Sequence, residues 1–147
     1  MQSRYRDICV AFMIDSKEDI KAADVLLKNS IFSKSVYHSQ QAVEKSLKAV
    51  LALNGVFITD EHVVSDKFSL LFSKFNTLKD VADEAKFLER QGQKARYPLF
   101  RDPIKPIWMP SKEYKKDDAA KAFEKADFVL KKIAEFLDEK YDVRVIQ

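Results

Sequence analysis

Along much of this chain apolar residues recur at alternating steps of four and three, the spacing of one face of an α-helix. The clearest case is the stretch Phe32–Leu53. There Val36, Gln40, Val43, Leu47 and Val50 form a seam that is apolar except at Gln40. Beside it Ser35, Ser39, Ala42, Ser46 and Ala49 form a stripe of small residues, which lets a neighbouring helix approach closely. The two stripes cover roughly half of the circumference, more than a surface helix buries. This stretch therefore reads as the central helix of a bundle, touched by at least two others. The remaining arc carries Gln41, Glu44, Lys45 and Lys48. It reads most simply as a solvated face; the functional alternative is a polar cluster at a cleft or a dimer interface.

The same period marks the other elements. Cys9, Met13, Ser16, Ile20, Ala23 and Leu27 predict a first helix from about Asp7 to Lys28, closed by Asn29-Ser30. Two alternatives stand beside it. The run Ile8–Ile14 taken alone suits a buried strand, and Asp15–Asp19 carries a cap-like signal for a helix starting there. Asn54-Gly55 ends the central helix, glycine suiting the left-handed residue that follows a helix. Val64, Phe68, Leu71 and Phe75 predict a third helix starting near Asp60-Glu61 and broken at Asn76-Thr77. Leu78, Val81, Ala85, Leu88, Gly92 and Ala95 predict a fourth, Thr77–Arg96, which stops there because a residue before proline avoids the helical region. Ala119, Phe123, Ala126, Leu130, Ile133 and Leu137 predict a last helix from about Asp117 to Lys140. The tail Tyr141–Gln147 then frays or meets a partner.

One long irregular stretch remains, Tyr97–Tyr114, and it holds all four prolines. Its aromatics Tyr97, Phe100, Trp108 and Tyr114 argue against disorder, and a loop of this length inside a compact domain points to function. Trp108 and Phe100 are expected to cap one end of the bundle. The fold class is therefore all-α: an antiparallel up-and-down bundle of about five helices with one long Pro-rich loop, a single domain across residues 1–147.

Composition agrees: only two Gly and four Pro, with 33% charged residues, favour helices over a turn-rich β fold. The lone Cys9 excludes an internal disulfide, and with His38 and His62 as the only histidines no metal site is expected. The longest apolar run, Ile8–Ile14, is too short to cross a bilayer, and no signal-peptide pattern precedes it, so a cytoplasmic location is expected. Charge changes the picture more. From Lys86 to Lys116 there are nine Lys/Arg against three Asp/Glu, a local net of +6 in a chain of net +3. A basic segment on a near-neutral body suggests an anionic partner. Its candidate nucleotide- or RNA-binding residues are Arg90, Lys94, Arg96, Tyr97 and Arg101. Arginine offers a planar fork to phosphate, and an aromatic ring offers a stacking face to a base. Gly55 and Gly92 are isolated, so no glycine-rich phosphate loop is present, and no cofactor is expected.

Several segments resemble the HEPN domain (higher eukaryotes and prokaryotes nucleotide-binding). They are Glu18–Leu27, the central Ser39-Gln40-Gln41-Ala42-Val43-Glu44-Lys45-Ser46-Leu47-Lys48-Ala49, His62 beyond that helix, and Ala95-Arg96-Tyr97-Pro98. The resemblance runs from about Asp15 to Leu137. It implies a helical bundle, a homodimer, and one of two functions. The first is a non-catalytic module that binds a nucleotide, RNA or a nucleotidyltransferase partner, as in a toxin–antitoxin pair. The second is a ribonuclease, which in the family uses an Arg with a His a short way downstream. Here His38 and His62 both precede Arg90 and Arg96. Because that chemistry needs a histidine for proton transfer, ribonuclease activity is expected to be absent or very weak, no catalytic residue is assigned, and His62 reads as a helix-start residue. A HEPN-type ribonuclease with a divergent active site is the alternative.

Overall fold

The four long seams become the four long helices of an all-α bundle. The computed structural model describes residues 2–58, 60–100 and 103–145. In order these form α1 (Gln2–Lys28), α2 (Phe32–Leu53), α3 (Ser65–Phe72), α4 (Lys79–Arg96), α5 (Pro110–Glu113) and α6 (Lys116–Tyr141), with a 3-10 turn, Asn76–Leu78, leading into α4. The axis is α2, which packs against α1, α4 and α6 and more lightly against α3 and α5. Its apolar seam and its small-residue stripe are buried throughout. The small stripe faces α1: the Ser35 hydroxyl donates to the Ala23 carbonyl at 2.7 Å, and the Ser16 hydroxyl of α1 donates to the Ala42 carbonyl at 2.5 Å. No helix among the described residues is long and apolar enough to cross a membrane.

The turns follow local chemistry. Both α1 and α2 end with a residue at positive φ, Ser30 at 62° and Gly55 at 74°. In each, the next residue's N–H returns to a carbonyl five back, Ile31 to Leu26 at 2.9 Å and Val56 to Leu51 at 3.0 Å, which satisfies carbonyls the helix leaves open. The short helix α5 is the element the sequence reading left out. Pro110 supplies a first residue with φ already fixed for a helix, and Met109 before it is extended.

Other departures have tertiary causes. Helix α1 is continuous and starts at Gln2, ahead of Asp7, because its first turns have partners. The Tyr5 ring meets Phe57 edge-on at 5.2 Å. The Arg6 guanidinium donates to the carbonyls of Tyr141 and Asp142, both at 3.0 Å, at the negative end of α6. The tail is held rather than frayed as far as it is described: Val143 is buried and Lys17 Nζ donates to the Val145 carbonyl at 3.1 Å. Helix α3 begins at Ser65, not near Asp60, and is only eight residues long. Phe72 takes the buried place expected for Leu71, which is exposed, and Phe75 packs half-buried beyond the helix end. Phe68 stacks on Phe72 at 5.2 Å, while Phe72 and Phe75 meet Phe136 of α6 edge-on at 5.9 and 5.1 Å. On α6 Phe123 is half-buried beside the buried Ala122. Trp108 does seal against the core, but Phe100 is 76% exposed and caps nothing.

Two protonated groups depend on this packing. Burial, partly opposed by Arg6, pushes the Cys9 thiol from 9.0 up to about 12. Burial and the Asp118 charge push the Tyr114 phenol from 10.0 up to about 12. The unfolded chain therefore loses these protons at lower pH than the folded chain. Their contribution to stability is complete below about pH 9 and is lost as pH rises toward 12. Urea midpoints should hold from neutral pH to about pH 9 and then fall; a midpoint that stays level across the higher window contradicts the burial of both groups.

Candidate functional site

Successive turns of α2 point one row of polar side chains the same way: Lys34, His38, Gln41, Glu44 with Lys45, and Lys48. The inner part of this row is not a solvated face. Gln41 is 9% exposed, Glu44 3% and Lys48 5%. The cause is tertiary: the segment carrying His62 reaches Glu44, and α4 passes over the neighbouring Gln40. The buried groups answer one another. Gln41 Nε2 donates to Gln40 Oε1 at 2.9 Å, and Gln40 Nε2 donates to Glu44 Oε1 at 3.2 Å. Lys48 Nζ donates to Glu44 Oε2 at 3.1 Å, and His62 Nδ1 lies 3.3 Å from Glu44 Oε1. A buried ion pair of this kind adds little net stability. Removing one partner strands the other and costs about 3–5 kcal/mol.

Gly92 makes this closure possible. A Cβ at that position would lie 2.5 Å from Cγ and 2.8 Å from Cδ of Gln40. The bare glycine backbone lets α4 pass over the Gln40 side chain while that side chain keeps both hydrogen bonds.

A second carboxylate fixes the wall of the site. Glu89 of α4 is 9% exposed. Its Oε1 accepts the N–H groups of Val64 and Ser65, both at 2.8 Å, and its Oε2 accepts the Ser65 hydroxyl at 2.7 Å. These are donors a helix start leaves open, so Glu89 caps α3 from another helix and sets where α3 begins. His62 belongs to the coil just before, so it is not a helix-start residue. The third carboxylate belongs to α1. Asp19 Oδ1 lies 2.9 Å from His38 Nδ1, and its Oδ2 accepts from Lys45 Nζ at 2.6 Å. Lys45 also lies 2.5 Å from Asp15 Oδ2. Burial pulls the Lys45 ammonium down, but its bonds to Asp15 and Asp19 outweigh this and raise it overall.

Between these anchors lies a cleft of about 350 Å³ lined by Lys34, Tyr37, His38, His62, Arg96 and Tyr97. The Arg96 guanidinium sits over the Tyr37 ring, 5.2 Å from its centroid. Pro98 keeps Tyr97 extended, at φ −136° and ψ 149°, so the chain leaves α4 directly after Arg96. Both histidines meet their carboxylates through Nδ1, which leaves Nε2 available to a ligand. On the far side of His38 a wider groove of about 640 Å³ runs along α1 past Asp15, Glu18 and Asp19.

Of the residues singled out from sequence, Arg96 and Tyr97 line the cleft and Gln41, Glu44 and Lys48 are brought together beneath it. Lys45 turns away to the acids of α1. Arg90 and Lys94 are exposed on α4 and do not line the cleft. Arg101 lies outside the described residues. The sequence reading missed Lys34, Tyr37, His38 and His62. Lys34 and His38 carry the polar arc of α2 two turns further toward its start, a signal present in the sequence. His62 was marked only by the family resemblance, and no local pattern could place it, because its tie to Glu44 spans 18 residues.

Comparison with known proteins bears on the family and the fold. The model of the HEPN domain family matches residues 11–137. A relative from Methanocaldococcus jannaschii, named "Putative toxin MJ1304", is 38% identical over 143 residues, which cover 92% of this chain and 91% of that protein. The crystal structure of TT1696 from Thermus thermophilus superposes with a TM-score of 0.70 at 23% identity, over 92% of this chain and 98% of the other. That of ST0689, an archaeal HEPN homologue, superposes with a TM-score of 0.63 at 19% identity, over 85% and 93%. At these identities the two structures bear on the fold.

The tight passage of α4 over Gln40 is open to test. Helix propensity alone favours alanine over glycine by up to about 1 kcal/mol. Gly92→Ala should nevertheless destabilise the protein, by about 1–3 kcal/mol, because the core is overpacked there. The loss should shrink when Gln40→Ala removes the obstacle. Equal losses in both backgrounds, measured by urea denaturation, would show that the contact is not the cause.

Proposed function

The chain belongs to the HEPN domain family, and from that premise we propose that it is a toxin-like protein that binds a phosphate-bearing ligand, a nucleotide or RNA, in the cleft at the end of α4. The observation that carries this reading is the lining itself. Arg96 and Lys34 bring two cations, His38 and His62 bring two ring nitrogens, and Tyr37 and Tyr97 bring aromatic surface to one opening. Arginine and lysine neutralise phosphate, and a ring beside them suits a base. Titration of the pure protein with nucleoside monophosphates, triphosphates and an oligoribonucleotide tests it. Binding should weaken with added salt, since phosphate contacts release counterions, and Arg96→Ala should lose most of the affinity. No binding at low salt, or equal binding by the variant, overturns the reading.

One observation favours a second reading, a HEPN-type ribonuclease with a rearranged site. Histidines that precede Arg96 in sequence line the same cleft as Arg96, each backed by a carboxylate, Asp19 behind His38 and Glu44 behind His62. A base and an acid beside a cation is the equipment for phosphodiester cleavage. In the same experiment RNA cleavage that is lost in both His38→Ala and His62→Ala supports catalysis. Binding without cleavage supports the first reading.

The proposal includes a homodimer and a restraining partner of the nucleotidyltransferase class, supported by the similarity to a relative named as a toxin candidate. Light scattering at tens of micromolar should give twice the 17.0 kDa of one chain. A mass of one chain removes the dimer, and co-purification from the native host without a nucleotidyltransferase removes that partner.

A further inference from the structure

The two histidines of the cleft are held alike, each in front of a carboxylate that lies deeper than the ring. The His62 side chain is 52% exposed and that of Glu44 behind it 3%; for His38 and Asp19 the values are 32% and 11%. Each carboxylate also accepts from an ammonium, Glu44 from Lys48 at 3.1 Å and Asp19 from Lys45 at 2.6 Å. A carboxylate paired in this way is ionised and only accepts hydrogen bonds. The imidazole nitrogen that faces it carries the proton, so Nδ1 donates, at 3.3 Å to Glu44 and at 2.9 Å to Asp19. That settles the state of the other nitrogen. In a neutral ring Nε2 is a bare lone pair, and in a charged ring it is an N–H donor.

A phosphate oxygen that carries no proton offers only lone pairs, so it bonds to Nε2 only when the ring has taken up a second proton. The charges around the rings favour that uptake by an anion. Behind His38 stand Asp19 and, through Lys45, Asp15 of α1, and the groove on its far side adds Glu18 and Lys21. Behind His62 stand Glu44 and Lys48, while Glu61 beside it is paired with Lys67 at 3.2 Å. In front, α2 and α4 contribute Lys34 and Arg96, and no acid among the described residues lines the cleft itself. Two fixed positive charges and two rings that can each add one thus surround about 350 Å³, near the small end of ligand pockets. Such a volume holds one phosphate group with its nucleoside rather than a run of phosphates. An internal phosphodiester brings a single negative charge and two free oxygens. A phosphate monoester brings about −1.5 to −2 charges at neutral pH and three acceptor oxygens.

We propose that the cleft takes a terminal phosphate, a phosphomonoester, in preference to an internal phosphodiester, with His38 and His62 protonated as donors beside Lys34 and Arg96. The proposal rests on the binding reading of the cleft and names its ligand chemistry. A mononucleotide and a phosphorylated RNA end present this same group. Binding takes up protons from solution, and the buried carboxylates hold each charged ring in place. Because the bound state carries more protons than the free state, affinity falls as pH rises, by up to about tenfold per pH unit for each proton taken up.

The test titrates the full chain at low salt with uridine monophosphate, with the methyl ester of its phosphate, and with an oligouridylate of about ten nucleotides that ends in either a phosphate or a hydroxyl. The monophosphate should bind at least about tenfold more tightly than its methyl ester, as expected for one further charge-assisted hydrogen bond. Calorimetry at about pH 8 in two buffers of different ionisation heat should show net proton uptake with the monophosphate. At that pH the ligand is already a dianion, so the protons go to the protein. His38→Gln and His62→Gln should each reduce both the uptake and the preference; the wild-type comparison decides the matter alone if either variant fails to fold. A gain in affinity for the phosphate-ended oligonucleotide over the hydroxyl-ended one supports the proposal and assigns the group to an RNA end. Monophosphate binding without that gain supports it and assigns the group to a mononucleotide. Equal binding of the monophosphate and its methyl ester, binding without proton uptake, or a preference and uptake that survive in both variants overturns the proposal and leaves the cleft reading standing. Failure of the wild type to bind any of these ligands overturns both.

Discussion

A carboxylate shut inside a helical bundle is the constraint on which the rest of this structure depends. Glu44 is 3% exposed, on the middle of the helix that every other helix touches. A charge so placed has to be paired and hydrogen-bonded. Lys48 supplies the countercharge from one turn away, Gln40 supplies an amide, and His62 supplies a ring from the coil before α3. Each partner has a structural consequence. Gln40 can reach Glu44 only because α4 offers Gly92 where it crosses. The contact to His62 draws the coil against α2 and so forms one wall of the cleft.

Glu89 works on the same wall from the other side. It takes the open N–H groups of Val64 and Ser65 while Glu44 takes the ring of His62. The coil is thus held by two buried carboxylates on two different helices, two residues apart in its own sequence. With Asp19 behind His38, three acids from three helices stand behind a cleft whose own lining is basic and aromatic. The acids lie at the back, paired and mostly buried, and the cations Lys34 and Arg96 face the opening. Acid and base are thus held on opposite sides of the residues that line the cleft.

The loop after α4 extends the same logic. Its prolines and the short helix α5 stiffen it, and Trp108 and Tyr114 fasten it to the backbone of α4 at Lys94 and Gln91. Arg96 and Tyr97 emerge where the fastening begins. The segment that follows these two residues is therefore held by hydrogen bonds to carbonyls of a well-packed helix.

The sequence by itself determined the four long helices, the centrality of α2, the end of α2 at Gly55 and the end of α4 at Arg96. Each of these rests on local rules: the 3.6-residue period, the freedom of glycine at positive φ, and the effect of Pro98 on its predecessor. The tertiary structure decided the rest. A polar arc on a helix is solvated or buried according to what covers it, and here His62 meets Glu44 while α4 passes over Gln40 at Gly92. The start of α3 was set by a cap 24 residues further on, and with it the exchange of Leu71 for Phe72 in the core. The order of His and Arg along the chain said nothing of their distance in space. His38, His62 and Arg96 belong to three segments that periodicity treats separately, and only helix packing brings them to one cleft.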